Sequence, residues 1–294
     1  MRTAEYPRPS QVIAHLSDTH LRDPADPLVR GVVDPRPNLV AALAAAAAHA
    51  PQGIVLTGDL SDDGTISSYV ELRKTVESAA ERMSARVIWV NGNHDDRAAF
   101  SEVLLGVGTR EPLHQVHRLG GLRVLCLDTT VPGRDEGQVT EESLGWLADQ
   151  LADPAPEGTV LAMHHSPLPV VQDLAASWEL HGQQELGGVL AGSDVRAILS
   201  GHFHQSGFGT LAGVPVLAAT SLCYTQDLST GRGLRGQAGG QGWHLVQVYP
   251  HTVTSTVAPL GHHPTVVAAR SAADSAAELA RRDIRIPPAP GSDG

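Results

Sequence analysis

Two cysteines, Cys126 and Cys223, are all that this chain of 294 residues contains. Two thiols cannot build a disulfide framework, and a reducing compartment suits such a chain best. Basic charge is also short. The formal net charge is -11, which leaves no positive field to hold duplex nucleic acid or an anionic membrane. Long apolar runs are missing as well. The longest, Leu39 to Ala48, is too short to span a bilayer, and Met1 to Ser10 carries no apolar signal core. The expectation is a soluble, cytoplasmic protein. What the chain does have is an apolar fraction of 41%, enough for a sizeable core.

The first hundred residues alternate strand and helix. Val12 to Leu16, Gly53 to Thr57 and Arg86 to Val90 read as short buried strands. Between them the pattern predicts an Ala-rich helix to His49, capped by Asn38, and an amphipathic helix from Ser67 to about Met83. A short helix over Ala98 to Leu105 follows, and the Pro- and Asp-rich stretch from Asp23 to Pro37 reads as a loop. Such alternation predicts a parallel sheet with crossover helices, whose functional groups collect at the carboxyl ends of the strands. The second half reads differently. Val116–Leu119 and Leu122–Leu127 flank Gly120-Gly121, a hairpin signature. A helix from Thr140 to about Leu151 is capped by Thr140. Strands follow at Thr159–Met163 and Val195–Leu199, then near Phe208–Leu211, Val214–Ala219, His244–Tyr249 and Val253–Ala258. These elements predict an α/β fold, two sheets face to face with helices outside, as one domain over residues 1–263. A helical stretch from Pro264 to Arg282 and a disordered tail from Pro287 are expected in residues 264–294.

The strand ends carry the chemistry. They hold Asp18 and His20, then Asp59, then Asn93 and His94, then His164 and His165, then His202 and His204. These are more donors than one cation takes, and they suit two cations sharing a bridge. Oxygen donors mixed with imidazoles favour Mn, Fe or Zn over Ca. In an extended segment residues i and i+2 point the same way, so Asp18 with His20, and His202 with His204, are expected to converge. Gly92 is expected to supply an unusual backbone conformation to the turn that presents Asn93 and His94. Asp62 and Asp63 read as solvated loop residues. Asp95 reads either as a turn former or as a group that orients a ligand imidazole. Cys223 and Tyr224 follow a strand that lines the site on one reading.

The blocks Asp18-Thr19-His20, Gly58-Asp59, Gly92-Asn93-His94-Asp95, Met163-His164-His165 and Gly201-His202-Phe203-His204 stand in order, and together they resemble the calcineurin-like metallophosphoesterases. Within that family the wording is most like the bacterial class III cyclic nucleotide phosphodiesterases of mycobacterial type. The supporting stretches run from His15 to Leu21, Gly92 to Arg97, Leu144 to Leu147, Asp194 to Leu199 and Cys223 to Asp227. One departure is Ser166 after His165, where such relatives usually carry Pro. The resemblance implies a four-layer αββα sandwich of two mixed sheets with flanking helices. It implies Asp18, His20 and His204 on a first metal, Asn93, His164 and His202 on a second, and Asp59 bridging them. It leaves His94 free to stabilise charge on the phosphate or to protonate the leaving oxygen, with His165 beside the ligands rather than among them. The implied reaction is attack of a metal-bridging hydroxide on phosphorus, opening 3′,5′-cyclic AMP to 5′-AMP. The alternative is the same machinery acting on 2′,3′-cyclic nucleotides or glycerophosphodiesters. The partner expected is thus a small phosphodiester, and the resemblance also suggests a homodimer.

Overall fold

Alternation along the strands sets the layers. In the strand Gln11–Leu16, Ile13 faces one cluster of apolar side chains, while Ala14 and Leu16 face another, because successive side chains of a strand point to opposite faces. The neighbouring strand divides in the same way, Val55 to one side and Ile54 and Leu56 to the other. A strand with apolar residues on both faces needs a layer on each, and the computed structural model, which describes residues 2–290, supplies both.

The first sheet has five strands in the order Val253–Pro259, Gly242–Val248, Gln11–Leu16, Gly53–Thr57, Arg86–Val90. The last three are parallel and the first two join antiparallel. The second sheet has six, in the order Gly207–Leu211, Val214–Ala218, Val195–Ser200, Thr159–Met163, Leu122–Leu127, Gln115–Leu119. Its four central strands are parallel and both edges antiparallel. Ile13, Val55 and Ile88 of one sheet meet Val124, Val160 and Leu199 of the other in a shared core. Helices Arg36–Ala47 and Ile66–Met83 cover the outer face of the first sheet through Leu39, Leu43, Leu72 and Val76. Helices Glu141–Leu151 and Gln183–Leu190 cover the second through Leu147, Leu186 and Leu190. The result is the αββα sandwich of two mixed sheets.

Four details differ from the sequence reading. Asn38 does not cap the first helix, which begins at Arg36 with Pro35 at its N-cap position and no side-chain cap. Asn38 instead donates from Nδ2 to the Leu222 carbonyl (2.8 Å), tying the helix to the loop beyond the second sheet. The helix expected over 98–105 is a short α segment, Arg97–Phe100, followed by a π turn, Ser101–Leu105. The helix Gln183–Leu190 and the 3₁₀ segment Asp173–Trp178 were not anticipated, the former because Gly187 and Gly188 obscure its periodicity. Near the C-terminus the helix spans only Ala272–Arg281, with a full capping box at Ser271 and Asp274. Ile284–Arg285 then pairs parallel with Arg2–Thr3, and Arg8 N donates to the Pro287 carbonyl at 2.9 Å. From residue 291 the expected tail lies outside the described residues.

Leu56 is fully buried between the first sheet and its helices. Leu56→Ala should lower unfolding free energy by about 2–5 kcal/mol, the usual cost of emptying a packed site, read from the midpoint of chemical denaturation.

Candidate metal centre

Five parallel strands from the two sheets bring their carboxyl ends to one place. Gln11–Leu16 delivers Asp18 and His20, Gly53–Thr57 delivers Asp59, and Arg86–Val90 delivers Asn93 and His94. From the second sheet, Thr159–Met163 delivers His164, and Val195–Ser200 delivers His202 and His204. The loops are cross-bonded as they leave the sheet: Asp18 N donates to the Gly58 carbonyl (3.0 Å) and His20 N to the Asp59 carbonyl (2.9 Å). Asp18, His20, Asp59, His164 and His204 are at most 4% exposed.

The imidazoles are held by their outer nitrogens. His164 Nδ1 lies 2.7 Å from the Thr57 carbonyl, His202 Nε2 2.8 Å from the Trp178 carbonyl, and His204 Nδ1 2.8 Å from the Tyr224 carbonyl. His20 Nδ1 lies 3.2 Å from the Asp62 carboxylate. A nitrogen facing such an oxygen carries the hydrogen. In each neutral ring the other nitrogen is then a lone pair turned inward, and these inner nitrogens crowd together. His20 Nε2 is 3.0 Å from His204 Nε2, and His202 Nδ1 is 3.2 Å from His164 Nε2. Acceptors this close repel unless positive charge lies among them. The carboxylates act in the same sense: burial works against ionised Asp18 and Asp59, yet the facing His204 and His164 outweigh it and hold both pKa values low. Burial likewise opposes a charged His164, but Asp59 and Asp18 raise it to about 9. Such a place collects positive charge, and its residues fit a pair of cations held by imidazole and carboxylate.

The donors fall into two groups with a common member. Asp18, His20, Asp59 and His204 place one donor atom each within 4.8 Å of the others. Around His164 Nε2 stand Asn93 Oδ1 at 3.0 Å and Asp59 Oδ2 at 3.4 Å, besides His202. The same Asp59 Oδ2 is 3.6 Å from His20 Nε2, so one carboxylate oxygen touches both groups. All seven residues expected as ligands are thus brought together. His165 lies beside His164 and His202, close enough to form a further donor group with them, but it accepts from the Thr129 hydroxyl at Nδ1 (2.8 Å) and donates from Nε2 to the Asp135 carbonyl (3.1 Å). Both of its nitrogens are occupied.

The backbone bends unusually to do this. Asp18, His20, Asp59, His202 and His204 have φ of 52°, 45°, 50°, 76° and 52°, a left-handed region that costs non-glycine residues roughly 1–3 kcal/mol each. The Asp18/His20 and His202/His204 pairs therefore converge through tight left-handed bends, not through the extended segment expected from the sequence. Gly92 also corrects the sequence reading, since it is not among the residues with positive φ. Its value is space: a Cβ there would lie 2.2 Å from Asp59 N and 2.3 Å from Asp59 Oδ1. Gly201 makes room for Asp18 and Gly58 for the His164 ring in the same way.

Several supports went unseen in the sequence. Asp62 is no solvated loop residue: it receives His20 Nδ1 and Arg22 Nη1 (2.8 Å), and its carbonyl lies 3.3 Å from His94 Nδ1. Asp63 ties its loop through Asp23 N, Ser61 and Thr65. The position three residues after Asp59 was the available signal for Asp62. Asp95 accepts from Gly92 N (2.8 Å), Ser61 N (3.0 Å), Leu60 N (3.1 Å) and the Tyr69 hydroxyl (2.9 Å). It locks two site loops to a helix, so turn chemistry describes it, and no ligand imidazole is among these partners. Asp96 caps the short helix at Ala99 N. His94 N donates to Asp59 Oδ1 (2.9 Å), while its side chain, 36% exposed, joins His20, Asp59, Asn93, His202 and His204 along a cavity of about 610 Å³. Burial lowers the His94 pKa, but Asp59 and the Asp62 carbonyl outweigh it, so the value is raised. Tyr224 lines the same cavity, and Cys223 is wholly buried behind it.

Residues 12–206 match the calcineurin-like phosphoesterase family. The chain is 47% identical to a probable cyclic nucleotide phosphodiesterase of Rhodococcus erythropolis, over 97% of this chain and 96% of that protein. It is 46% identical to a cAMP/cGMP dual specificity phosphodiesterase of Mycobacterium tuberculosis, over 98% and 92%. Among solved structures, a dimetal phosphatase from Danio rerio shares the fold, with a TM-score of 0.60 at 13% identity, over 85% of this chain and 99% of that one.

Because a methyl group at residue 92 overlaps the Asp59 backbone rather than a movable side-chain end, Gly92→Ala should displace Asp59. Metal analysis of the purified variant should show less bound metal per chain than wild type. Equal metal content would mean that the loop shifts without disturbing the centre.

Proposed function

The chain belongs to the calcineurin-like phosphoesterase family, and we propose that it is a dinuclear-metal phosphodiesterase that opens 3′,5′-cyclic nucleotides to 5′-nucleoside monophosphates. The observation that carries this reading is the pair of donor groups sharing Asp59 at the floor of a cavity. Both relatives described above bear the names of cyclic nucleotide phosphodiesterases, which supports the same substrate class. Asp18, His20 and His204 would hold one cation, Asn93, His164 and His202 the other, with Asp59 between them. Mn²⁺, Fe and Zn²⁺ all suit these donors. When bound, such cations neutralise charge on the phosphate and lower the pKa of water.

The chain's own contribution to the reaction centres on His94. Its Nδ1–H donates to the Asp62 carbonyl, which orients the ring and leaves Nε2 as the working end. Without bound cations Asp59 favours the protonated imidazole, and the Asp62 carbonyl, which no cation engages on this reading, acts in the same sense. As water adds to phosphorus and the bond to the ribose 3′-oxygen breaks, the leaving oxygen takes the Nε2 proton, while of the two protons of the water one restores Nε2–H and the other passes to solvent. Asp59 has a second task here, because its Oδ1 accepts from His94 N: the group between the two cations also fixes the backbone of the acid. No helix among the described residues is long and apolar enough to cross a membrane, and Cys126 and Cys223 are free and buried. We propose further that the chain works in the cytoplasm, which fits the free thiols, and as a homodimer, which rests on the family resemblance alone.

Purified protein supplied with Mn²⁺ should convert cyclic AMP and cyclic GMP to the 5′-monophosphates, followed by chromatography. Cleavage confined to 2′,3′-cyclic nucleotides or glycerophosphodiesters would sink the proposed substrate. Asp59→Ala and Asn93→Ala should each abolish turnover, and full rate in either would refute the shared centre. His94→Ala should retain metal while turnover falls roughly 10²–10⁴-fold, the scale for losing a general acid. Loss of metal would instead make His94 a ligand.

A further inference from the structure

Beyond the donor groups, the cavity has a wall with its own chemistry. The strand Thr225–Gln226 pairs antiparallel with Gly236–Gln237, Gln226 directly opposite Gly236. Residues opposite one another in such a pair share a face, as do residues two apart on one strand. Tyr224, Gln226 and Gly236 therefore present one surface, and all three line the cavity. Gly236 lets the Tyr224 ring lie close against the strand: a Cβ there would stand 3.1 Å and 3.3 Å from two of its ring carbons. The slot thus has an aromatic ring on one side and an amide beside it. The amide is underused, since Gln226 Oε1 is buried and has no hydrogen-bond partner. The surface is fixed to the donor groups. Gln226 N donates to the His204 carbonyl (3.2 Å), and the Tyr224 ring lies 4.2 Å from the His204 ring. Apolar groups share the lining with Arg30 and Arg235: Leu234, 38% exposed, and Val32, 71% exposed, both line the cavity.

We propose that this slot is the nucleobase subsite, with Tyr224 giving the stacking face, Gly236 the room in which that ring is seated and Gln226 the amide that reads the edge of the heterocycle. The inference rests on the cyclic nucleotide reading above. A glycerol group has neither a flat face for the ring nor a planar donor–acceptor edge for the amide, whereas a purine has both. A carboxamide holds a donor and an acceptor on one rotatable group. Turned one way it matches the 6-amino group and ring nitrogen of adenine, and turned the other it matches the 6-oxo group and N1–H of guanine. The slot accordingly takes both purines.

The test compares Mn²⁺-loaded wild type with Gln226→Ala and Gly236→Val. The quantities are kcat/KM for cyclic AMP, for cyclic GMP and for bis(4-nitrophenyl) phosphate, which has no base, together with calorimetric binding of 5′-AMP. Each variant should lower the ratio of cyclic nucleotide to aryl diester by about tenfold, on the scale of one lost amide–base pair, and weaken 5′-AMP by a similar factor. If wild type opens neither cyclic nucleotide, the substrate reading and the slot fall together. If wild type opens both while ratios and 5′-AMP binding hold within twofold in Gln226→Ala, the slot alone is overturned. That variant removes only a side-chain end and serves should Gly236→Val not fold.

Discussion

The centre of this protein depends on ring nitrogens held by oxygen acceptors, three of them backbone carbonyls. Thr57, Trp178 and Tyr224 each offer a carbonyl to His164, His202 and His204. Each bond fixes which nitrogen carries the hydrogen, and so fixes where the lone pair points. The bond from His164 to Thr57 also crosses between the sheets: His164 follows a strand of the second and Thr57 ends a strand of the first. Correct packing of the sandwich and correct orientation of the donors are therefore one condition, since a slip of one sheet against the other would take that carbonyl away.

The same place concentrates cost. Ionised carboxylates are buried, imidazole lone pairs face one another, and Asp18, His20, Asp59, His202 and His204 occupy the left-handed region. Strain of this kind persists only where the surroundings over-determine it. Here three apolar clusters, one between the sheets and one under each pair of helices, provide that surplus. Asp95 adds a local clamp by gathering amides from two loops and the Tyr69 hydroxyl. The glycines of the motifs contribute through absence, because the neighbouring donor fills the volume that a Cβ would need.

Division of labour along the cavity explains how one family machinery acquires a particular substrate. The floor handles phosphate and charge, and any phosphodiester presents those groups. In the proposed subsite, the wall built by Tyr224, Gln226 and Gly236, which lines the same cavity, meets what the diester carries. Binding energy from that remote part of a substrate serves to place the phosphorus on the floor, and the contact of Tyr224 with His204 links the two regions physically.

Much of this was legible in the sequence. Apolar runs of strand length marked nearly every strand of both sheets, because burial on two faces demands unbroken hydrophobicity. Donors placed just after those runs marked the site, because parallel strands aim their carboxyl ends the same way. What the residues could not disclose was whatever depends on atoms without sequence identity. The carbonyls that fix the tautomers belong to Thr57, Trp178 and Tyr224 only through position, and any residue type offers the same oxygen. Asp62 looked like loop chemistry until the fold set it against His20. Asn38 looked like a cap until it reached Leu222, and Gly92 looked like a turn former until Asp59 filled the space beside it. Residue types and their order thus determined the set of donors and the strands that carry them. Only tertiary structure decided which lone pairs face inward and which groups share Asp59, because both follow from how the two sheets pack face to face.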